Sequence, residues 1–199
     1  MHNIDNIREI FKRYGGMMRT NELSKEKLYY FSIQKLLEDG YIEKVRFGYY
    51  RWAENTESNE VDIVTKLFPD GILCMDTALH FYGYCDTVPN EWHIAVSKDS
   101  GKSRFNLDYP FVKPYYIEPS LLDLGVITEK MDGVEIKIFD RERVICDCLR
   151  YRNRMDKDLF NKAIKSYIND PDRNISHLNE YAMQLRVSKK ARDLLAIWL

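Results

Sequence analysis

Basic and hydroxyl-bearing side chains recur between residues 25 and 51, at a density that suits contact with nucleic acid. Lysine and arginine bind phosphates, and tyrosine or serine hydroxyls can reach the edges of bases. A helix that carries three lysines is also often only a solvated face, so the role of each residue stays open. The candidate DNA-binding residues are Lys25, Lys27, Tyr29, Tyr30, Ser32, Lys35, Lys44, Arg46 and Arg51.

A second group of residues contains the parts of a metal-dependent nuclease site. Pro69-Asp70 and, much later, Glu135-Ile136-Lys137 could supply two carboxylates for Mg²⁺ and a lysine beside the attacking water. Glu135 and Lys137 would share one face of a strand, because side chains alternate there. Any amphipathic strand exposes such a pair, and Asp70 lies in a predicted turn. Nuclease activity is therefore the weaker alternative.

Other catalytic or cofactor chemistry is not indicated by the sequence. Cys146 and Cys148 are two residues apart on a predicted helix, so they point to nearly opposite sides and cannot share an ion. The four histidines lack ligand spacing, and His80 and His93 are interpreted as polar groups satisfied in or near the core. Neither a phosphate-cradling glycine loop nor a nucleophile elbow is present. We predict no catalytic residue, no metal site and no cofactor, hence a protein that is not an enzyme.

Three consecutive elements would position the candidate DNA-binding residues. A short helix begins near Thr20, which can cap it. A second helix, from about Lys25 to Asp39, stops at Gly40, the residue best able to adopt the left-handed conformation. Tyr41 to Trp52 then has the pattern of a β-hairpin. The apolar positions of the second helix are Leu28, Phe31, Ile33, Leu36 and Leu37, and the hairpin turns at Phe47-Gly48.

An earlier helix, from Asn3 to Tyr14, completes this part of the chain. It has apolar residues at helical spacing and ends at Gly15-Gly16. Three helices followed by a hairpin predict a winged helix-turn-helix, whose last helix enters the major groove. The hairpin, or wing, would reach phosphates or a narrow minor groove. Winged helices also dock proteins, so a pure interaction module stays an alternative.

The rest of the chain is predicted to form a larger α+β domain. Residues 54–60 are polar and acidic, and we interpret them as a linker between a domain over residues 1–54 and a second over residues 61–199. Short strands precede a run of helices, two of which Asp140 and Asp156 can cap. The prediction is a small sheet with a C-terminal helical bundle. The strands are expected at 92–96, 111–117 and 134–139, and the later helices from 140, 156, 176 and 188.

Composition narrows the class of protein. The chain has 199 residues, 45% of them hydrophobic and 31% charged, with a net charge of −1, which argues against a nonspecific coat on nucleic acid. Residues 1–54 hold ten Lys and Arg against eight Asp and Glu, a mild basic bias. The sequence contains no run of about 18 apolar residues, which is the length needed to span a membrane. The four cysteines lack a disulfide framework, and no signal-peptide layout is seen, so we expect a cytoplasmic protein.

Three stretches of the sequence resemble stretches of a known family. One is DGILCMDTALHFYG at residues 70–83, followed by Val88-Pro89 and WHIAV at 92–96. Another is IFDRERVICD at 138–147, where a strand runs into a helix, and the third is the wing motif Gly48-Tyr49-Tyr50-Arg51. In these stretches the chain resembles the AbiEi-type antitoxins of type IV toxin–antitoxin and phage-abortive-infection systems.

The resemblance implies two activities. The N-terminal domain would bind inverted repeats in the promoter of its own operon, as double-stranded DNA, and repress transcription. The C-terminal domain would carry the antitoxin activity and oppose a toxin that resembles a nucleotidyltransferase, without necessarily forming a stable complex with it. The sequence itself gives no chemistry for that second activity.

Overall fold

The computed structural model describes residues 3–53 and 59–198. Most of the predicted linker lies outside these residues. The described chain forms two compact units. The first comprises the residues up to Leu67 together with Leu107–Pro110, and the second comprises Phe68–Asn106 and the residues from Phe111 onward. Mixed helices and sheets in these units confirm the predicted α+β class.

The first unit begins with a winged helix-turn-helix. Its elements are α1 (Ile4–Arg13), β1 (Met17–Arg19), α2 (Thr20–Lys25), α3 (Tyr30–Glu38), β2 (Ile42–Arg46) and β3 (Tyr49–Trp52). The three strands form an antiparallel sheet in the order β1-β3-β2. Gly40 and Gly48 adopt positive φ angles of 73° and 78°, which lets the chain turn out of α3 and around the wing.

An apolar core holds the three helices against the wing. Phe11 of α1 packs against Trp52 of β3, with ring centroids 5.5 Å apart. Leu23 of α2 and Leu28 of the following turn are fully buried in the same cluster. The expected inward face of the first helix is confirmed, since Ile7, Ile10 and Phe11 are buried there. This core fixes the orientation of α3 within the domain.

Two details of the helix-turn-helix differ from the prediction. The second helix starts at Tyr30 and not near Lys25, because Lys25 ends α2 and Lys27 occupies a turn at φ 60°. Thr20 is the first residue of α2 and does not cap it, and the Glu22 carboxylate instead accepts from the Arg19 amide at 2.7 Å. The predicted cap was wrong because the chain enters the helix directly from β1.

A further helix, α4 (Glu60–Leu67), belongs to the first unit, whereas the sequence assigned it to the second domain. Arg19 donates to the carbonyl of Lys66 at 2.9 Å, and Arg46 donates to that of Leu67 at 2.8 Å. In return, the Lys66 ammonium donates to the Tyr14 carbonyl at 2.7 Å. Two guanidinium groups thus satisfy carbonyls that the end of α4 leaves without helical partners.

The second unit is built on a mixed five-stranded sheet. Its strands are β4 (Ile72–Leu73), β5 (Trp92–Ser97), β6 (Val112–Ile117), β7 (Val126–Met131) and β8 (Val134–Phe139), in the order β6-β5-β4-β8-β7. The β5–β6 and β4–β8 pairs are parallel, and the other two are antiparallel. The sequence did not predict β7, whose polar Thr128-Glu129-Lys130 stretch lies on an edge of the sheet.

Six helices accompany this sheet. They are α5 (Met75–Phe81), α6 (Pro119–Leu122), α7 (Arg141–Tyr151), α8 (Lys157–Asn169), α9 (Ile175–Gln184) and α10 (Ser188–Trp198). The predicted caps Asp140 and Asp156 are confirmed, as each side chain accepts from a first-turn amide. The next helix, expected from residue 176, is capped by Asn174, whose side chain accepts from the His177 amide at 3.1 Å. None of the helices in the described chain is long and apolar enough to cross a bilayer.

Helix α7 is buried on all sides over most of its length, including three charged residues. Arg143 is fully buried and donates to Asp147 at 3.1 Å and to the carbonyls of Leu121 and Leu124 at 2.8 Å each. Glu142 accepts from the Tyr167 hydroxyl and from the Asn174 amide. Arg143 is thus paired with a carboxylate one helical turn away, and α7 is the central helix of the second unit.

Candidate nucleic-acid interface

The outward side of α3 carries large aromatic side chains. Tyr29, Tyr30 and Phe31 are 61%, 68% and 86% exposed, respectively. Phe31 is two residues from buried Ile33 and therefore lies nearly opposite the core-facing side of the helix. Lys35 follows Phe31 by four residues, so it stacks on the same outward face. Exposed aromatic groups at this density are typical of interaction surfaces.

Charge along the helix-turn-helix is polarised. Lys25, at the end of α2, and Lys27, in the turn, flank the N-terminus of α3, whereas Glu38 and Asp39 lie at its C-terminus. Within residues 3–53 and 59–198, Lys25, Lys27 and Lys35 form no ion pair with a carboxylate. A polyanion would therefore be attracted to the N-terminal end of α3, where the helix dipole is also positive, and repelled from its C-terminal end.

The N-terminus of α3 is not covered by a capping side chain. Tyr29 occupies the N-cap position in an extended conformation, and no side-chain capping bond is made there by the described residues. The first amides of a helix then need another acceptor, which water or a phosphate oxygen can supply. The aromatic side chains and these amides face the same end of the helix, which is the end that a helix-turn-helix presents to base edges.

The wing provides a second, smaller contact surface. Phe47, at its tip, is 91% exposed, and the Lys44 ammonium lies over its ring at 5.6 Å. Arg46 is directed elsewhere, with its guanidinium 4.1 Å from the Tyr49 ring centroid and bonded to α4. Arg51 pairs with Glu43 at 2.8 Å. Of the three basic wing residues predicted to contact DNA, only Lys44 is exposed without a carboxylate partner in the described part of the chain.

The structure groups most of the predicted residues and adds two that the sequence did not indicate. Lys25, Lys27, Tyr29, Tyr30 and Lys35 are exposed around α3, whereas Ser32 is half-buried. The added residues, Phe31 and Phe47, were overlooked because Phe31 was assigned to the core and Phe47 to the turn. The signal for Phe31 was available in its spacing, since it is out of phase with Ile33 and Leu36 wherever the helix starts. Of the predicted apolar positions only Leu28, which lies before α3, would share its face.

The residues of the nuclease alternative do not form a metal-binding cluster in the described chain. Hydrogen bonds from Arg104 to the Asp70 carboxylate hold the pKa of Asp70 below its usual value. Glu135 and Lys137 share the exposed face of β8, as predicted. In the ranges that the structure describes, no three His, Cys, Asp or Glu side chains converge as a metal site. The three residues are thus an ion-paired carboxylate and a solvated strand face.

His93 is satisfied in the core, as predicted, whereas the prediction for His80 was wrong, because its buried Nδ1 has no hydrogen-bond partner among the described residues. His93 is 3% exposed, its Nδ1 accepts from the Asp76 amide at 3.2 Å, and its own amide donates to the Thr77 hydroxyl at 2.8 Å. Burial lowers the pKa of His93, although Asp76 and Glu91 oppose that shift. The ring therefore acts as a neutral acceptor that ties β5 to α5.

The second unit has a groove of about 1000 Å³. One wall is α8, which presents Lys162 and Lys165 together with Asn161 and Asn169. The opposite wall is the end of α5 at Tyr82, whose hydroxyl donates to the Phe139 carbonyl at 2.8 Å. The groove can receive a polar surface, since it offers the Lys165 ammonium and amide groups beside an aromatic ring. Lys162 already pairs with Asp86, and Asp170 adds a carboxylate to the lining.

Comparison with known proteins shows the fold alone. No protein-family model matches the sequence, and no curated protein matches it either. Among solved structures, the chain is similar to the RV2827C protein from Mycobacterium tuberculosis, with a TM-score of 0.55 and 12% sequence identity. The similarity covers 96% of this chain and 79% of that one. At this identity the two proteins share an arrangement of elements, and residue roles do not transfer.

Proposed function

We propose that this protein is a DNA-binding antitoxin that represses its own operon. The first unit would bind inverted repeats in the promoter, and the second would oppose a nucleotidyltransferase-like toxin in the cytoplasm. One observation supports the DNA-binding half above the rest. Exposed aromatic residues and lysines without carboxylate partners in the described chain surround the end of α3 that a winged helix inserts into the major groove. The antitoxin half rests on the resemblance to AbiEi-type proteins.

The four exposed lysines around α3 and on the wing supply the electrostatic part of binding. If Lys25, Lys27, Lys35 and Lys44 each neutralise one phosphate, the binding constant should fall with salt at a log–log slope of about −3.5. This slope is modest, consistent with the mild basic bias of residues 1–54. Affinity would therefore depend strongly on contacts with bases.

A binding experiment tests the DNA-binding half. Fluorescence anisotropy would measure the affinity of the full chain for the duplex upstream of its own gene, across a salt series. Exchanging these four lysines for glutamine should weaken binding more than tenfold and flatten the slope. The matched control exchanges four exposed lysines of the second unit, Lys102, Lys130, Lys137 and Lys157, for glutamine and should leave affinity unchanged. Equal affinity of the two quadruple variants would contradict the proposal and favour the protein-docking alternative.

A growth experiment tests the antitoxin half with the full chain. The protein would be expressed from an unrelated promoter together with the nucleotidyltransferase-like product of the neighbouring gene. Rescue of growth is expected from the wild type and from the α3 and wing lysine variant, because repression is not required under that promoter. Lys162→Glu with Lys165→Glu, in the groove beside α8, is the first variant expected to lose rescue. Toxicity that the wild-type chain fails to relieve would overturn the antitoxin assignment and leave DNA binding unaffected.

A further inference from the structure

Phe31 lies in the N-terminal turn of α3, on the outward face of the helix. Its ring is 86% exposed, although it is one of the most apolar side chains in the protein. Gln34 and Lys35 follow it by three and four residues and so flank it on the same side of the helix. In a helix-turn-helix, the N-terminal residues of the recognition helix contact base edges in the major groove. Phe31, whose side chain has no hydrogen-bonding group, therefore occupies a position that would contact base edges.

The chemistry of a phenyl ring restricts what it can contact there. Most groups on the major-groove floor are hydrogen-bond donors or acceptors, and covering one of them without a partner is costly. The exception is the C5-methyl group of thymine, the apolar group that the four bases present in that groove. Phe31 is therefore compatible with thymine and unfavourable over cytosine, whose N4 donor would lose its water.

Two neighbours support this assignment. The Tyr30 and Phe31 rings meet edge to face, with centroids 5.7 Å apart, which restricts the orientation of the Phe31 ring. The Gln34 side chain forms no hydrogen bond to another of the described residues, so its amide is available to pair with adenine N6 and N7. A phenyl group and a free amide on one face are complementary to a run of A·T pairs.

We infer that Phe31 is the specificity-determining residue of the DNA interface and that it selects thymine through its methyl group. The inference rests on the proposed function, since it assigns a base preference to the same surface. It adds that the bound site carries thymine opposite the N-terminal turn of α3. It also adds that removing only the methyl groups, with all hydrogen bonds kept, weakens binding.

Deoxyuridine provides the test, because it differs from thymidine only in lacking that methyl group. The full-length protein would first select its best duplex from a randomised library. Each thymine of that duplex would then be replaced singly by deoxyuridine. At one position in each half-site the affinity should fall about fourfold, the value of one buried methyl group. Phe31→Ala should bind the thymine duplex more weakly and lose the difference between the thymine and deoxyuridine forms.

Two further variants make the experiment decisive. Phe31→Leu keeps an apolar side chain and should retain the methyl effect. Phe47→Ala removes an equally exposed ring from the wing and should retain it as well. Equal affinity of wild type for all thymine and deoxyuridine duplexes, or an undiminished methyl effect in Phe31→Ala, would overturn the inference while leaving DNA binding intact. Failure of the wild type to enrich any sequence would instead overturn the proposed function, and this inference with it.

Discussion

Helices α3 and α7 depart from the amphipathic pattern in opposite directions. In α3, an aromatic residue faces outward, with Phe31 86% exposed on the side opposite Ile33. In α7, charged residues face inward, with Glu142, Arg143 and Asp147 at 5%, 0% and 3% exposure. The ordinary rule would reverse both placements, because apolar side chains gain from burial and charges lose by it.

The difference shows two uses of a misplaced residue. Each charged group buried in α7 makes at least one hydrogen bond inside the same unit, such as those of Arg143 to the Leu121 and Leu124 carbonyls, although Arg143 Nη2 and Asp147 Oδ1 have no partner among the described residues. That arrangement ties the central helix to neighbouring segments. The exposed ring of Phe31 is surrounded by lysines and a free amide, a setting that suits a ligand. Buried charges therefore serve the fold of the second unit, and exposed aromatic groups mark the surface of the first for which DNA binding is proposed.

The largest effect is expected from Arg143→Met. This change leaves Asp147 buried without its cation and removes the donors to two carbonyls. The free energy of unfolding should fall by about 3–5 kcal/mol. Urea denaturation followed by circular dichroism measures it. The matched control, Arg150→Met at the exposed end of the same helix, should change stability by less than about 0.5 kcal/mol. Similar losses in the two variants would remove the contrast between α7 and α3.

Caps should give opposite signs in the two helices. Asp140→Ala removes an acceptor of the Arg143 amide, which lies at 2.8 Å, and should destabilise the second unit by about 1 kcal/mol. Tyr29→Ser supplies α3 with the cap it lacks among the described residues and should stabilise the first unit by a similar amount. The same serine should weaken DNA binding. A stabilised variant with full affinity would show that Tyr29 and the first amides of α3 do not contact DNA.

A smaller effect is expected on acidification, at Asp170, which contacts Arg141 at the start of α7. Burial opposes ionisation of Asp170, but hydrogen bonds from the Tyr84 hydroxyl and the Arg141 guanidinium hold its pKa below the usual value. Since the folded state binds the proton less tightly, Asp170 adds stability above about pH 4. That contribution is lost as pH falls through the folded pKa. Urea titrations between about pH 5 and 2 should show a shallower decline for Asp170→Asn than for wild type.

The smallest change in stability is expected from Phe31→Ser. Replacing a core phenylalanine costs several kcal/mol, but the ring of Phe31 is already in water. The free energy of unfolding should therefore change by no more than about 0.5 kcal/mol. Urea denaturation of the full chain, beside Phe11→Ser in the core of the same unit, measures the contrast. A loss comparable to that of Phe11→Ser would mean that Phe31 packs inside and does not read DNA.

The sequence predicted the order of elements better than the ends of the helices. Periodic apolar residues indicated α1, and glycines indicated the turn after α3 and the tip of the wing, because these features depend on local chemistry. The start of α3 was wrong because Lys27 takes up a left-handed conformation that lysine rarely adopts. That error hid Phe31, since a helix drawn from Lys25 places it among the core residues.

The buried charges of α7 and strand β7 illustrate what local patterns do not contain. Glu142 is stabilised by Tyr167 and Asn174, which lie 25 and 32 residues further along the chain. No local rule anticipates such partners. Three of the six residues of strand β7 are polar and adjacent, and the strand pairs with β8 from Val126 through Met131. Tertiary context determined both features.

The hydrogen bonds from Arg19 and Arg46 to the end of α4 affect how the chain can be divided for isolated study. A fragment that stops at residue 54 would remove the two carbonyls to which these guanidinium groups donate, and the ammonium partner of the Tyr14 carbonyl would be absent. Extending the fragment to Leu67 restores all three partners within one polypeptide. In a shorter fragment the Arg46 guanidinium would keep its contact with the Tyr49 ring but lose the Leu67 carbonyl, which makes it more available to an external anion. Such a fragment would then overstate the affinity of the intact protein for DNA, most of all at low salt.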